Sequence, residues 1–413
     1  LITDMPTHMT LLNEAKTNIM GAGAAQFSQE DIDDYKEGSD PLLYPNTDWF
    51  DHFYGTPRPI QNHNFSLNGG NDHLLYNLSM GYLNQEGMGG VSSLDKITLR
   101  SNTELKISEK LKVGANISGF HEHVAGITNI AHVINDWGSS PGVVIQGPEG
   151  RYGDPKVTGE GNTGNPLAHI SSIDKQNNFQ EYMAKIYAEY TVIPGLTWKA
   201  NAAMRHRNRT IESMNEPYEL WDFRDSSIAM TSPTTTISLF NQHVQSMDLT
   251  AFTTLNFEKS FDQHYLNALA GYSIETGNTK NFSASISDLY STDTPVLSAG
   301  ISEPVVNGVR SAWGLISYFG RINYDYDEKY LFEANVRVDG SSKFKQGNRW
   351  ATFPSFSAGW RVSKEEFFPD NTPISDLKVR GSWGMLGNQN IGNNYPYQAV
   401  YSLQEKYNFE GEV

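Results

Sequence analysis

Cysteine is absent from all 413 residues, which removes disulfide scaffolds, thiol nucleophiles and cysteine-ligated metals from consideration. The absence also suits a chain that crosses an oxidising periplasm without mispairing. Long apolar runs are missing as well. No stretch approaches the roughly 20 apolar residues that a spanning helix needs, so a helical membrane protein is excluded. Positive charge is scarce, with 31 Lys and Arg against 47 Asp and Glu and a formal charge of −16. Such a chain repels phosphate backbones, and nucleic acid is not expected as a partner. Residues 1–59 carry much of the imbalance, with acids from Asp4 and Glu14 to Asp48 and Asp51 against only Lys16, Lys36 and Arg58. The chain opens abruptly at Leu1-Ile2-Thr3 and stops at Gly411-Glu412-Val413, and it reads as a piece of a longer protein.

What the sequence does have is alternation. Aromatics make up 12% of it, and apolar side chains recur at every second position, the period that puts them on one face of a strand. From Leu74 the even positions read Leu74, Tyr76, Leu78, Met80 and Tyr82, while Asn77, Ser79 and Gly81 fall between them. Ile97, Leu99, Leu105 and Ile107 then oppose Lys96, Thr98, Arg100, Asn102, Glu104 and Lys106. After the turn at Ser108-Glu109-Lys110, Leu111, Val113, Ala115 and Ile117 oppose Lys112, Gly114, Asn116 and Ser118. Comparable runs lie at roughly 60–68, 180–192, 196–210, 244–259, 265–277, 312–326, 330–339, 352–362 and 377–386, about twelve strands in all. Many run on the order of 11 to 15 residues, beyond the usual 5–6 of soluble strands and long enough to cross a bilayer at a tilt. Aromatics such as Tyr318, Phe319, Tyr324, Tyr326, Tyr330 and Phe332 gather towards strand ends, where membrane girdles sit.

The connections alternate between short and long. Asn68–Asp72, Ser108–Lys110, Ile193–Gly195, Ser260–Gln263 and Asp327–Lys329 are tight turns. The long ones are 87–93, 123–178, 211–243, 278–310 and 340–351, with 363–376 longer than its place in the order requires. Outer-membrane barrels have short periplasmic turns and long extracellular loops. The expected fold is therefore all-β, an antiparallel transmembrane β-barrel. Residues 1–59, with helix-like patches at Met9–Ala15 and after the possible cap Ser28, are expected as an extracellular loop. Residues 60–386 hold the barrel strands, and 387–413 begin a further outer loop.

Ordered motifs strengthen this. They are Asn46-Thr47-Asp48-Trp49, Pro59–Leu67 with Gly69-Gly70, Tyr76–Gly87, Tyr318–Tyr324, Asp339–Phe344, Asn348-Arg349-Trp350, Phe353-Pro354-Ser355, Gly359-Trp360-Arg361 and Gly387–Gly392. Together they resemble the SusC/RagA-type TonB-dependent transporters of Bacteroidetes outer membranes. The resemblance implies about 12 of the family's 22 strands, roughly the second to the thirteenth. It also implies a plug that contacts TonB, here outside the chain, a SusD-like surface lipoprotein as lid, a setting in outer-membrane lipid, and active uptake of a polar organic nutrient, a glycan or an oligopeptide. No cofactor and no catalysis are implied. The strand pattern alone also allows a passive porin or a secreted β-rich adhesin or lectin, and a surface glycosidase is a further alternative.

His121-Glu122-His123 lacks the helical spacing that puts two imidazoles on one face. The acidic run Asp31, Asp33, Asp34, Glu37 places Tyr35 where a calcium loop needs oxygen. Asn64, Asn77, Asn116, Asn208 and Asn281 each begin an Asn-x-Ser/Thr triplet, but the first three share a polar strand face with their serines. No carboxylate pair sits in an apolar setting that would split its pKa values. What remains is ligand binding by loops: Asp136 with Trp137, Arg151 with Tyr152, and Trp221 with Asp222 combine aromatic faces with polar groups suited to sugars or peptides.

Overall fold

The computed structural model describes residues 4–21, 23–127, 140–155, 164–232, 235–369, 372–392 and 394–398. Three helices come first: α1 (Met5–Met20), α2 (Gln29–Glu37) and α3 (Trp49–Tyr54). Their starts are written in the sequence. The carboxylate of Asp4 accepts from Thr7 N, Ser28 and Asp31 form a reciprocal capping box, and Asp48 accepts from Asp51 N. The acidic run at 31–37 is thus one exposed helix, with the Asp31 carboxyl held below its ordinary pKa by the Ser28 hydroxyl and amide.

The strands follow as β1 (Ile60–Gly70), β2 (Leu74–Glu86), β3 (Ser92–Lys106), β4 (Leu111–Gly126) and the short β5 (Tyr152–Gly153). After α4 (Pro166–Ser171) come β6 (Ile173–Ile193), β7 (Leu196–Asn215), β8 (Glu219–Asp222) and β9 (Ser227–Thr231). The rest are β10 (Ile237–Phe261), β11 (His264–Leu289), β12 (Val305–Tyr326), β13 (Tyr330–Ser341), β14 (Trp350–Arg361) and β15 (Lys378–Gly384). One twelve-stranded antiparallel sheet takes all of them in chain order except β5, β8 and β9, which form a small sheet of their own. Each strand of the large sheet pairs with the next, the arrangement that tight hairpins impose. The β12–β13 turn puts both Asp327 and Glu328 at positive φ, which matches the right-handed twist of the flanking strands.

Register carries the alternation from strand to strand. Leu78, Ser101, Ile117, Ala184, Met204 and Leu249 lie on one row and one face. Asn77, Asn102, Asn116 and Lys185 form the next row on the opposite face. The first face exposes Leu78, Met80, Leu99, Ile117, Ile186, Leu249, Ile322, Phe332, Phe356 and Trp383. A continuous apolar surface of that extent is not stable in water and requires lipid or protein against it. Its ends are aromatic. Tyr324 lies near Phe332 and Tyr326 near Tyr330 at one level, while Tyr272, Tyr318 and Trp350 cluster at another. The other face is polar and ion-paired, with Lys96–Glu122, Arg205–Glu181 and Arg207–Asp248 at 2.9, 2.7 and 2.8 Å. There Tyr187 lies over Gly114 and Phe319 over Gly271, so close that a Cβ on either glycine would meet the ring at 2.3 Å.

Three loop expectations need correction. Much of 211–243 and 278–310 is strand, because β7 runs to Asn215, β10 begins at Ile237, β11 runs to Leu289 and β12 begins at Val305. The 123–178 connection likewise narrows, between Gly126 and Ile173. Backbone pairing continues beyond the apolar band, where polar His243, Gln245, Asn278 and Lys280 stand on the outer face and the alternation that marks a strand fades. A small core of Met214, Leu239, Ile286 and Leu289, covered by Ile237 and Leu297, holds this extension together.

Candidate functional site

Beyond the ends of β6 and β7 away from their tight turn, the loop before β6 and the loop after β7 meet. Tyr152 pairs in parallel with Leu220 and Gly153 with Trp221, joining β5 to β8. The Asp154 amide donates to the Trp221 carbonyl at 3.0 Å. The guanidinium of Arg151 stacks over the Trp221 ring, 4.1 Å from its centroid, and is also paired with Glu149 at 2.5 Å. Of the four sequence-predicted site residues, Tyr152 and Trp221 are therefore neighbours on one small sheet. Asp136 and Trp137 lie outside the described residues.

Asn165 organises this cluster and was not singled out in the sequence. Fully buried, its Nδ2 donates to the carbonyls of Val144, Ile145 and Gly153 at 3.0, 3.0 and 3.3 Å. Its Oδ1 accepts from the amides of Leu167 and Ala168, capping α4. One side chain thus ties a loop strand to a helix start. An Asn before Pro166 was its only sequence signal, and that reads equally well as a plain N-cap.

The helical N-terminal segment packs into the same assembly. Trp49, Phe53, Val143 and Ile170 form a buried cluster, with Leu167, Ile145 and Tyr54 against it. The Thr47 amide donates to Pro141 O at 2.7 Å, its hydroxyl to Val143 O at 2.6 Å, and the Trp49 indole to Ser140 O at 2.9 Å. Asn46 accepts from Met5 N at 2.7 Å. The motif Asn46-Thr47-Asp48-Trp49 is thus a clamp between the N-terminal helices and the outer loop. Burial lowers the pKa of both His52 and His169 beside this core, with Arg58 adding to the effect at His52. Burial pushes the Tyr218 hydroxyl up to about 12, and its ring meets that of His169 edge-on. Arg224 holds the Asp222 carboxyl below its ordinary range through bonds of 2.6 to 3.1 Å. With stacked aromatic, guanidinium and amide groups around it, the cluster is equipped to hold a polar organic ligand by stacking and directed hydrogen bonds.

His121 and His123 lie on the apolar face, bonded to Gln180 and Asn178, while Glu122 points to the opposite face and pairs with Lys96. The three cannot converge on one ion. Asn64, Asn77 and Asn116 all fall on the polar face, in register with Gly81, Asn68 or Asn102 of the neighbouring strands.

Residues 120–411 match the family described as TonB dependent receptor-like, beta-barrel. TonB-dependent receptor P26 of Formosa agariphila is 28% identical over 89% of this chain and 36% of its own length. TonB-dependent receptor SusC of Bacteroides thetaiotaomicron is 26% identical over 88% of this chain and 37% of its own. The fold is shared with the RagAB peptide importer: its closed-closed state gives a TM-score of 0.75 at 22% identity, over 96% of this chain and 46% of the other. Its open-open state gives 0.76 over 98% and 46%. The chain thus spans about a third of the length of these curated relatives and just under half of the solved chains. The apolar face is the lipid-facing side of a barrel wall and the ion-paired face its lumen, and the chain belongs to the TonB-dependent receptor β-barrel family of bacterial outer membranes.

Proposed function

We propose that the protein to which this chain belongs takes up a glycan or oligopeptide across the outer membrane by TonB-dependent transport, with a SusD-like surface lipoprotein as lid. The carrying observation is the loop cluster beside a two-faced wall. Arg151, Tyr152 and Trp221 sit on a rigid platform built by Asn165 at the end of the sheet away from the tight turns. Residues 1–59 are read as an outer, helical segment docked on that platform, residues 60–386 as wall, and 387–413 as the start of another outer loop. Asp136 and Trp137 belong to the same outer loop as Arg151 and are read as additional ligand contacts. In this reading the protein makes and breaks no bond. The lumen carboxylates Glu122, Glu181 and Asp248 support it, since each is ion-paired with a base on the wall.

The test is to extract the full-length protein from outer membranes in detergent, identify what copurifies by mass spectrometry, and follow uptake of labelled glycans and oligopeptides by cells with and without an energised inner membrane. A detergent-dependent complex with a lipoprotein and energy-dependent uptake is expected. Uptake that persists without energy would replace the reading with a passive porin.

A further inference from the structure

On the lipid-facing side, Lys280 of β11 and Arg310 of β12 are direct register partners. Like charges placed opposite each other on adjacent strands repel, and both side chains are exposed. Among the described residues neither has a carboxylate partner. The surrounding positions on that face are Gln245, Asn278, Ala312, Phe282, Gly308 and His243, with His206 and Asn208 one strand further on. None is acidic, in a chain of net charge −16. The patch therefore gathers two cationic side chains, imidazoles and amides, with no carboxylate among the described residues to compensate them.

Height identifies the occupant. Along β11 the apolar positions facing lipid run from Leu266 to Ile274, after His264 at the lower aromatic level. Ten residues from His264 to Ile274, at about 3.3 Å each and a tilt of about 40°, cover about 25 Å, the height of an outer-membrane apolar band. Lys280 lies six residues further, about 15 Å above that band by the same geometry. A phospholipid headgroup layer occupies only about 5–8 Å on each side. We propose that Lys280 and Arg310, with His243 and the neighbouring amides, bind the phosphorylated sugar headgroup of an outer-leaflet glycolipid. Phosphate neutralises the opposed cations, and the amides of Gln245 and Asn278 face the sugar hydroxyls. The site depends on which face meets lipid and is independent of what the transporter carries.

The test uses full-length protein purified from outer membranes, incubated with a core-bearing rough lipopolysaccharide or with the same glycolipid stripped of phosphate, and native mass spectrometry of the retained lipid. Two surface charges removed by K280Q/R310Q lower retention of the phosphorylated form roughly thirty-fold. The charge-conserving K280R/R310K keeps it, K185Q on the lumen face leaves it unchanged, and heat-modifiable migration shows all variants folded. Equal retention by wild type and K280Q/R310Q overturns the proposal, as does equal retention of the stripped glycolipid. Displacement by millimolar inorganic phosphate would mark a free-anion site instead. Loss of a copurifying lipoprotein with lipid retention intact would mark a protein contact.

Discussion

The guanidinium of Arg151 lies 4.1 Å from the centre of the Trp221 ring, although the two residues come from different outer loops, on either side of the β6–β7 hairpin. Two loops that the sequence leaves as separate polar stretches are thereby one unit. The pairing of β5 with β8 supplies the backbone of that unit, and the stacked pair supplies a flat, charged surface on it.

Trp221→Ala removes the platform of the pair. A cation–π contact of this exposure contributes about 1 kcal/mol, so amide protection across 147–153 should fall about five-fold while that of β6 and β7 stays constant. Hydrogen exchange with mass spectrometry reads this directly. Unchanged protection at 147–153 would mean that the loops are held together by other contacts.

Asn165 gives a sharper contrast. Asn165→Ala leaves three carbonyls and two amides without their partner, a loss of about 3 kcal/mol in local stability. Asn165→Asp keeps the acceptor for α4 but sets a carboxylate against the carbonyls of Val144, Ile145 and Gly153. The Asp variant should therefore lose more protection at 144–153 than the Ala variant. The reverse order would show that the helix cap dominates.

Acid should loosen the docking of the N-terminal helices. His52 and His169 have folded pKa values lowered by burial, so the unfolded segment binds protons more readily than the docked one. That contribution is complete above the unfolded value of about 6.5 and is lost as pH falls through it towards the folded values. Between pH 7.5 and pH 5, exchange at 47–54 and 166–171 should accelerate in the wild type. His52→Gln with His169→Gln should flatten the response. A pH profile identical in both proteins would assign the effect to other groups.

The two faces of the wall should respond oppositely to charge. Ile186 sits midway between Tyr182 and Tyr190 on the lipid side, and Ile186→Arg should cost about 2–4 kcal/mol of folding in bilayers. Thr250 faces the lumen opposite Glu275, and Thr250→Arg should cost less than about 1 kcal/mol. Urea titration of folding into vesicles separates the two. Equal costs would mean that the faces are misassigned.

The wall was legible because lipid on one side and a polar lumen on the other write a period of two into Leu74–Tyr82 or Ile97–Lys106 more strongly than any soluble setting does. Legibility stopped where the lipid stops. Residues 211–215, 237–243 and 278–289 continue as strands that meet polar surroundings or the cover of Leu297 in place of lipid, and their sequence resembles loop. The loop cluster was half legible: the aromatic side chains of Tyr152 and Trp221 could be read off, but their adjacency could not. It depends on Asn165 and on the contact of Trp49 with Ser140, both between segments far apart in the chain. The motif at 46–49 was visible as a pattern, while its role as a clamp needed its partner carbonyls.

The two-sided wall is open to a direct measurement, since these 413 residues hold no cysteine and any cysteine elsewhere in the full-length protein is first replaced by serine. Single cysteines at positions 249 to 255 of β10, spin-labelled in the full-length protein in bilayers, report collision with oxygen in lipid and with a water-soluble nickel chelate. The account predicts alternation: Leu249, Ala251, Thr253 and Leu255 in lipid, and Thr250, Phe252 and Thr254 shielded from it. Labels without a period of two, or with water-soluble contact at every position, would contradict the barrel wall.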